Sequence, residues 1–154
     1  MDLLDELKGL ISKLNEESIE YALCGGLAMA IYALPRATLD IDLLIESSSL
    51  ERTRRAVHDL GFTVQAAPME FHDGKIHINR VSKIEPSTGE ALMLDLLTVT
   101  PELTSAWESR TEVEWEHGSI SVVSPRGLIL LKSFRKSGQD QDDITFLRSI
   151  IDED

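Results

Sequence analysis

An apolar run that ends on two consecutive glycines is the feature that most constrains this chain. Residues Ile19-Glu20-Tyr21-Ala22-Leu23-Cys24 form a short, partly alternating run that stops at Gly25-Gly26, where an extended segment ends and the chain turns. Small residues follow, so a helix is expected from about Leu27 to Ala33, closed by Pro35, which cannot continue a helix. Beyond it, Thr38-Leu39-Asp40-Ile41-Asp42-Leu43-Leu44-Ile45 reads as a second strand, bounded by Ser47-Ser48-Ser49. A strand, a helix and another strand thus follow one another, with the glycines at the first junction.

The elements around them follow from periodicity. Leu3, Leu4, Leu7, Leu10, Ile11 and Leu14 make the stripe of an amphipathic helix that covers a core. Leu50 to Leu60 suits a surface helix bearing Arg52, Arg54 and Arg55, with Gly61 placed to cap it and a strand at Phe62 to Ala66. Ile76 to Ile84 and Ala91 to Val99 form a hairpin around Glu85-Pro86-Ser87-Thr88-Gly89-Glu90. The stretch Trp107 to Trp115 carries no clear period, and its two tryptophans suit either a core or a partner contact. Ser119 to Val123 reads as a last strand before Ser124-Pro125, an N-cap and first helical position for a helix to Lys136. Gly138 breaks that helix, and Asp140 can cap a final one that repeats Ile144, Leu147, Ile150 and Ile151.

Composition limits the function classes. The 154 residues are 42% hydrophobic and 27% charged, the balance of one globular domain over residues 1–154. A net charge of -12 repels a phosphate backbone, so bulk DNA binding is not expected. No apolar stretch reaches the roughly 20 residues needed for a membrane span. One cysteine, Cys24, and an opening that carries Asp2, Asp5, Glu6 and Lys8 rather than a basic and then apolar leader point to a cytoplasmic protein. The four histidines, His58, His72, His77 and His117, have no zinc-ligand spacing.

The chemistry is concentrated in the aspartates. On a strand, Asp40 and Asp42 share one face with Cα atoms about 6.6 Å apart, within reach of one cation. Magnesium takes carboxylate and phosphate oxygens at about 2.1 Å, and paired ions clamp the attacking and leaving oxygens of a phosphoryl displacement. Asp95, inside Leu92-Met93-Leu94-Asp95-Leu96-Leu97, is the candidate third carboxylate, because a charge in that apolar run needs a partner or a metal. A strand running into Gly25-Gly26 and then a helix brings backbone amides, those of Leu27 and Ala28, toward a phosphate. Arg36 is placed to neutralise phosphate oxygens, and Thr38 to orient the loop or a metal.

Cys24-Gly25-Gly26-Leu27-Ala28 followed by Arg36-Ala37-Thr38-Leu39-Asp40-Ile41-Asp42-Leu43 resembles the signature of the minimal nucleotidyltransferase fold, the DNA polymerase beta-like superfamily. Within it the pattern is nearest to the abortive-infection nucleotidyltransferase-type toxin group and its small relatives. Leu131-Lys132 and Asp140-Gln141-Asp142-Asp143-Ile144 resemble the ending of those proteins. The resemblance implies an α/β (α+β) fold, a small mixed sheet flanked by helices with a C-terminal helical pair. It implies Asp40 and Asp42 as metal ligands, Asp95 as the third carboxylate that activates an acceptor hydroxyl, and Lys132 near the nucleotide phosphates. Gly26 stands where many active members have serine, and Gln139 where the family has a basic residue.

The expected activity is transfer of a nucleoside monophosphate from a magnesium-bound NTP such as ATP, with manganese as a substitute metal, to an acceptor hydroxyl on a protein, an RNA or a small molecule. A toxin–antitoxin or stress-response setting goes with it, as does a partner protein or self-association, with the arginines at 52, 54 and 55 as one contact patch. The alternative, motivated by Gly26, is a degenerate nucleotide-binding or interaction module. Structural roles stand beside the catalytic ones: Asp95 as a buried acid held by backbone amides, Lys132 on an outer helix face, Asp140 as an N-cap, and Asp143 paired with Arg135 or Arg148.

Overall fold

The computed structural model describes residues 1–32, 40–116, 118–134 and 138–152. Helix α1 (Leu3–Glu16) starts where the Asp2 carboxylate accepts hydrogen bonds from the amides of Leu4 and Asp5 at 2.9 and 3.2 Å, satisfying donors that the first helical turn leaves unpaired. It buries Leu7, Leu10, Ile11 and Leu14, each worth roughly 2 kcal/mol in apolar area removed from water. Leu4, on the flank of the stripe, stays exposed.

The chain then runs through β1 (Ala22–Cys24), α2 (Gly25–Ile31), β2 (Asp40–Ile45), α3 (Leu50–His58), β3 (Val64–Gln65), β4 (Met69–Phe71), β5 (Ile76–Ile84) and β6 (Ala91–Thr98). It continues with α4 (Thr104–Glu108), β7 (Thr111–Trp115), β8 (Gly118–Val122), α5 (Pro125–Ser133) and α6 (Gly138–Asp152). The strands make one mixed sheet in the order β3-β5-β6-β2-β1-β8-β7, with β4 paired to β5. β2 is antiparallel to β1 but parallel to β6, and β1 is parallel to β8.

Side-chain alternation gives this sheet two different faces. Asn79 and Lys83 of β5 bond Arg54 of α3 and Glu6 of α1, which places both helices on the face that carries Val81, Leu94, Ile41 and Leu43, all buried. The opposite face carries Arg80, Asp95, Asp42 and Asp40, beneath α5. Ser124 caps α5 by accepting from the Gly127 amide at 3.1 Å. α5 packs on α6, in which Ile144 and Leu147 are buried, so the expected C-terminal helical pair is present. No described helix is long and apolar enough to cross a membrane.

Several sequence boundaries shift. The expected helix at Leu27 begins two residues earlier, at Gly25, because Gly25 adopts φ +68° and turns the strand straight into the helix. The amides that such a start leaves without an intrahelical partner are those of Gly25, Gly26 and Leu27, so the Ala28 amide drops out of the expected set. The strand expected at Phe62 begins only at Val64, while Phe62 itself is buried and its amide bonds the Val57 carbonyl at 3.1 Å. β4 lacks a sequence signal, and the unassigned tryptophan stretch divides into α4 and β7. Trp107 is buried, with the Arg110 guanidinium 3.9 Å above its ring, and Trp115 packs partly buried on the core. Two of the α3 arginines bond to the rest of the fold, Arg52 donating to the Glu17 carbonyl at 2.8 Å and Arg54 donating to Glu51 and Asn79, while Arg55 is exposed.

Candidate active site

Strand register assembles the acidic centre. Asp42 lies directly opposite Asp95 across the parallel β2–β6 pair, and Asp40, two residues before it on the same face, lies opposite Met93. Neighbouring strands run about 4.8 Å apart, so the three carboxylates form one cluster on one face of the sheet. Asp40 and Asp42 are half-buried and Asp95 is buried. The hairpin expectation holds in a specific way: β5 and β6 pair antiparallel, and it is the parallel contact of β6 with β2 that delivers Asp95.

Among the described residues, Asp95 is held by a side chain rather than by backbone amides, the structural alternative raised from the sequence. Arg80 sits opposite it on β5 and grips it with a two-pronged contact, Nε to Oδ1 at 2.7 Å and Nη2 to Oδ2 at 3.0 Å. Hydrogen bonding to Asp95 raises the Arg80 pKa above its ordinary value despite the cost of burial, and the negative charges of Asp95, Asp40 and Asp42 add to the rise. Sequence reasoning missed this arginine. The signal was present in the hairpin: Ile84 pairs with Ala91, so the residues four back and four on, Arg80 and Asp95, must face each other.

Gly25 closes the cluster from the β1 side. Cys24 pairs with Asp42, and a Cβ placed on Gly25 would collide with the Asp42 carboxylate. The missing side chain lets backbone and carboxylate approach, and the positive φ favours glycine. Gly26 lies in the first turn of α2. Arg36 and Thr38, the other expected nucleotide contacts, lie outside the described residues.

Lys132 does not sit on an outer helix face. It is buried on α5, with Nζ 2.9 Å from Asp143 Oδ2 and 3.7 Å from Asp140 Oδ1 of α6. Asp143 thus pairs with Lys132, while Arg135, one of the two arginines expected for it, lies outside the described residues, and Asp140 is a buried residue of the first turn of α6. Lys132 also lines a cavity of about 390 Å³ shared with Asp40, Asp42, Asp95, Arg80 and Gly25. The rest of the wall is mostly apolar, with Phe71, Ile76, Ile78, Leu97, Leu128 and Phe134, and His72 packs its ring 5.8 Å from that of Phe134. Cys24 reaches this cavity as a buried thiol, held well above its usual pKa of 9.0 by burial and then by the Asp42 charge. A larger and more open depression of about 610 Å³ lies at the β7 side, where Arg110 pairs with Glu20; its acids, Glu20, Glu108 and Glu112, come from separate segments of the chain rather than from one sheet face.

The donor chemistry fits a hard divalent cation, since three carboxylates on one face offer oxygen ligands next to a cavity large enough for a phosphorylated substrate. As the side chains stand, no three His, Cys, Asp or Glu residues among those described are grouped to enclose an ion, and Asp95 faces Arg80.

No family model matches the sequence, and a comparison with curated proteins returns no match. Solved structures do. A protein of Thermotoga maritima assigned to the nucleotidyltransferases aligns over 98% of this chain and 93% of its own, with a TM-score of 0.61 and 17% identity. The lincosamide antibiotic adenylyltransferase LnuA, bound to lincomycin, aligns over 95% of this chain and 96% of its own, with a TM-score of 0.62 and 17% identity. The antibiotic-resistance factor ANT(2'')-Ia aligns over 98% of this chain and 86% of its own, with a TM-score of 0.65 and 14% identity. The sheet order, the paired aspartates and these superpositions agree that the chain has the nucleotidyltransferase fold.

Proposed function

We propose that this chain is a divalent-metal-dependent nucleotidyltransferase that moves a nucleoside monophosphate from an NTP to an acceptor hydroxyl and releases pyrophosphate. The observation that carries this reading is the Asp42–Asp95 register, with Asp40 on the same face and one cavity in front of all three. Asp40, Asp42 and Asp95 would hold magnesium, or manganese in its place. A metal bound there supplies charge neutralisation to the triphosphate and to the leaving pyrophosphate. Asp95 takes the proton of the acceptor hydroxyl as its oxygen bonds to the α-phosphorus and the bond to pyrophosphate breaks. Gly25, by lacking a side chain, leaves backbone room beside the phosphates, and Lys132 lines the cavity wall with its charge shared with Asp140 and Asp143.

The apolar wall of Phe71, Ile78, Leu97 and Phe134 supports a small-molecule acceptor over an RNA end, as does the likeness to LnuA and ANT(2'')-Ia, whose structures hold lincomycin and adenylyl-2''-tobramycin. A toxin–antitoxin or stress-response setting, and acceptor recognition through a partner protein or a second copy, rest on the motif resemblance. A second reading, a nucleotide-binding module without turnover, draws on the Arg80 grip on Asp95.

Isothermal calorimetry of ATP, GTP, CTP and UTP with magnesium, on wild type and on Asp40→Ala/Asp42→Ala, tests the proposal. Magnesium-dependent binding of one NTP that disappears in the double variant is expected, with pyrophosphate release once an acceptor is supplied. Absence of binding to all four overturns the transferase reading; binding without release under a broad set of acceptors favours the module.

A further inference from the structure

The Arg80–Asp95 pair engages a carboxylate that a metal would need as a ligand. Both oxygens of Asp95 are engaged by one guanidinium, at 2.7 and 3.0 Å. A carboxylate gripped at both oxygens presents its remaining lone pairs away from the fork. A divalent cation joining Asp42 to Asp95 would therefore stand beside a fixed positive charge on the same ligand. The Asp95 side chain is buried, at 7% exposure, whereas that of Arg80 is 34% exposed and opens on the cavity. The acid is thus fixed in place by its strand and its burial, while the arginine has a long flexible stem and room to leave.

A carboxylate that stays ionised in a buried setting needs a cation or hydrogen-bond donors beside it, and here it faces two more carboxylates across the sheet. Arg80 meets that need when no metal is present. A triphosphate entering the cavity with its metal offers both halves of a replacement: the metal for Asp95, and phosphate oxygens, which fit a guanidinium fork as well as a carboxylate does, for Arg80.

We propose that Arg80 is an exchangeable counter-cation, holding Asp95 in the metal-free chain and passing to the triphosphate when a divalent ion takes its place. This rests on the nucleotidyltransferase reading of the site. Arg80 is then a phosphate-binding residue in the loaded state and a competitor of metal in the empty one, and its removal has effects of opposite sign on the two equilibria. A purely structural clamp on Asp95 would instead weaken both.

The test measures binding of MnCl2 alone, by electron paramagnetic resonance, and binding of inorganic triphosphate at saturating Mn2+, by calorimetry, in wild type, Arg80→Ala and Arg80→Lys. Inorganic triphosphate removes any dependence on the base. Arg80→Ala is expected to bind Mn2+ about tenfold tighter than wild type and triphosphate about tenfold more weakly, a difference of one decade in each constant. Arg80→Lys keeps the charge and the fold but loses the fork, and should lie between the two. Unchanged or weaker Mn2+ binding in both variants, with wild type binding Mn2+ and triphosphate normally, overturns the exchange and leaves the transferase reading intact. If neither wild type nor either variant binds Mn2+, Asp95 is no metal ligand and both readings fall.

Discussion

Gly25 and Asp42 touch across the β1–β2 pair so closely that no side chain fits between them. The contact joins the end of the first strand to the centre of the acidic cluster. Gly25→Ala introduces a Cβ where φ is +68°, which costs about 1–2 kcal/mol from backbone strain alone, and it pushes the Asp42 carboxylate aside. We expect a fall in stability of at least that size in urea unfolding, together with loss of magnesium-dependent NTP binding by calorimetry. Retention of full binding by a folded Gly25→Ala would remove Gly25 from the site.

Lys132 ties α5 to two buried acids of α6. Lys132→Met removes the cation and leaves Asp140 and Asp143 in a buried setting, and breaking such a pair costs about 3–5 kcal/mol. Adding Asp143→Asn removes one of the two charges left behind, so the double variant should be more stable than Lys132→Met alone. Urea melts of wild type, both single variants and the double variant give the coupling directly. An additive result would mean that Lys132 and Asp143 do not support each other.

The Cys24 thiol is buried and its pKa is raised, by burial first and by the Asp42 charge second. Folded protein at pH 8 should react with a thiol reagent only as fast as it unfolds, and denatured protein should release one equivalent, from the single cysteine. The linkage has a definite sign. An unfolded thiol ionises near its usual pKa of 9.0 while the folded one stays neutral, so above that pH the unfolded state binds fewer protons and stability falls as pH rises. The contribution of Cys24 is complete below that pH and is lost as pH climbs toward the folded pKa. Urea midpoints at pH 7.5 and 9.5, set against Cys24→Ala, should show a steeper alkaline decline in wild type. Tyr21 and Tyr32, also raised by burial, act mainly above about pH 10, and the Met1 amino group, raised from 8.0 by its hydrogen bond to Glu90, is common to wild type and Cys24→Ala and cancels in the comparison.

Much of the layout was legible along the chain because it depends on neighbours in sequence. The stripe of Leu7, Leu10, Ile11 and Leu14 specifies α1 and its buried side, Ser124-Pro125 specifies the start of α5, and alternation puts Asp40 and Asp42 on one face. The start of α2 was misread by two residues because the positive φ of Gly25 is demanded by a strand that pairs with β1, and a helix rule that reads only the following residues cannot register it. β4 was missed for a similar reason: Met69–Phe71 is short, and it is held as a strand by pairing with β5.

Sequence alone determined which residues carry charge, which face of each element they occupy, and that Asp95 required a partner, since these follow from local period and from the cost of burying a charge. Tertiary structure alone decided who the partners are. Placing β6 parallel beside β2 sets Asp95 against Asp42, the β5–β6 hairpin sets Arg80 against Asp95, and the docking of α6 on α5 encloses Lys132 between Asp140 and Asp143. Strand order and helix docking are chosen by the whole hydrophobic core at once, so contacts between elements distant in sequence cannot be read from either segment by itself.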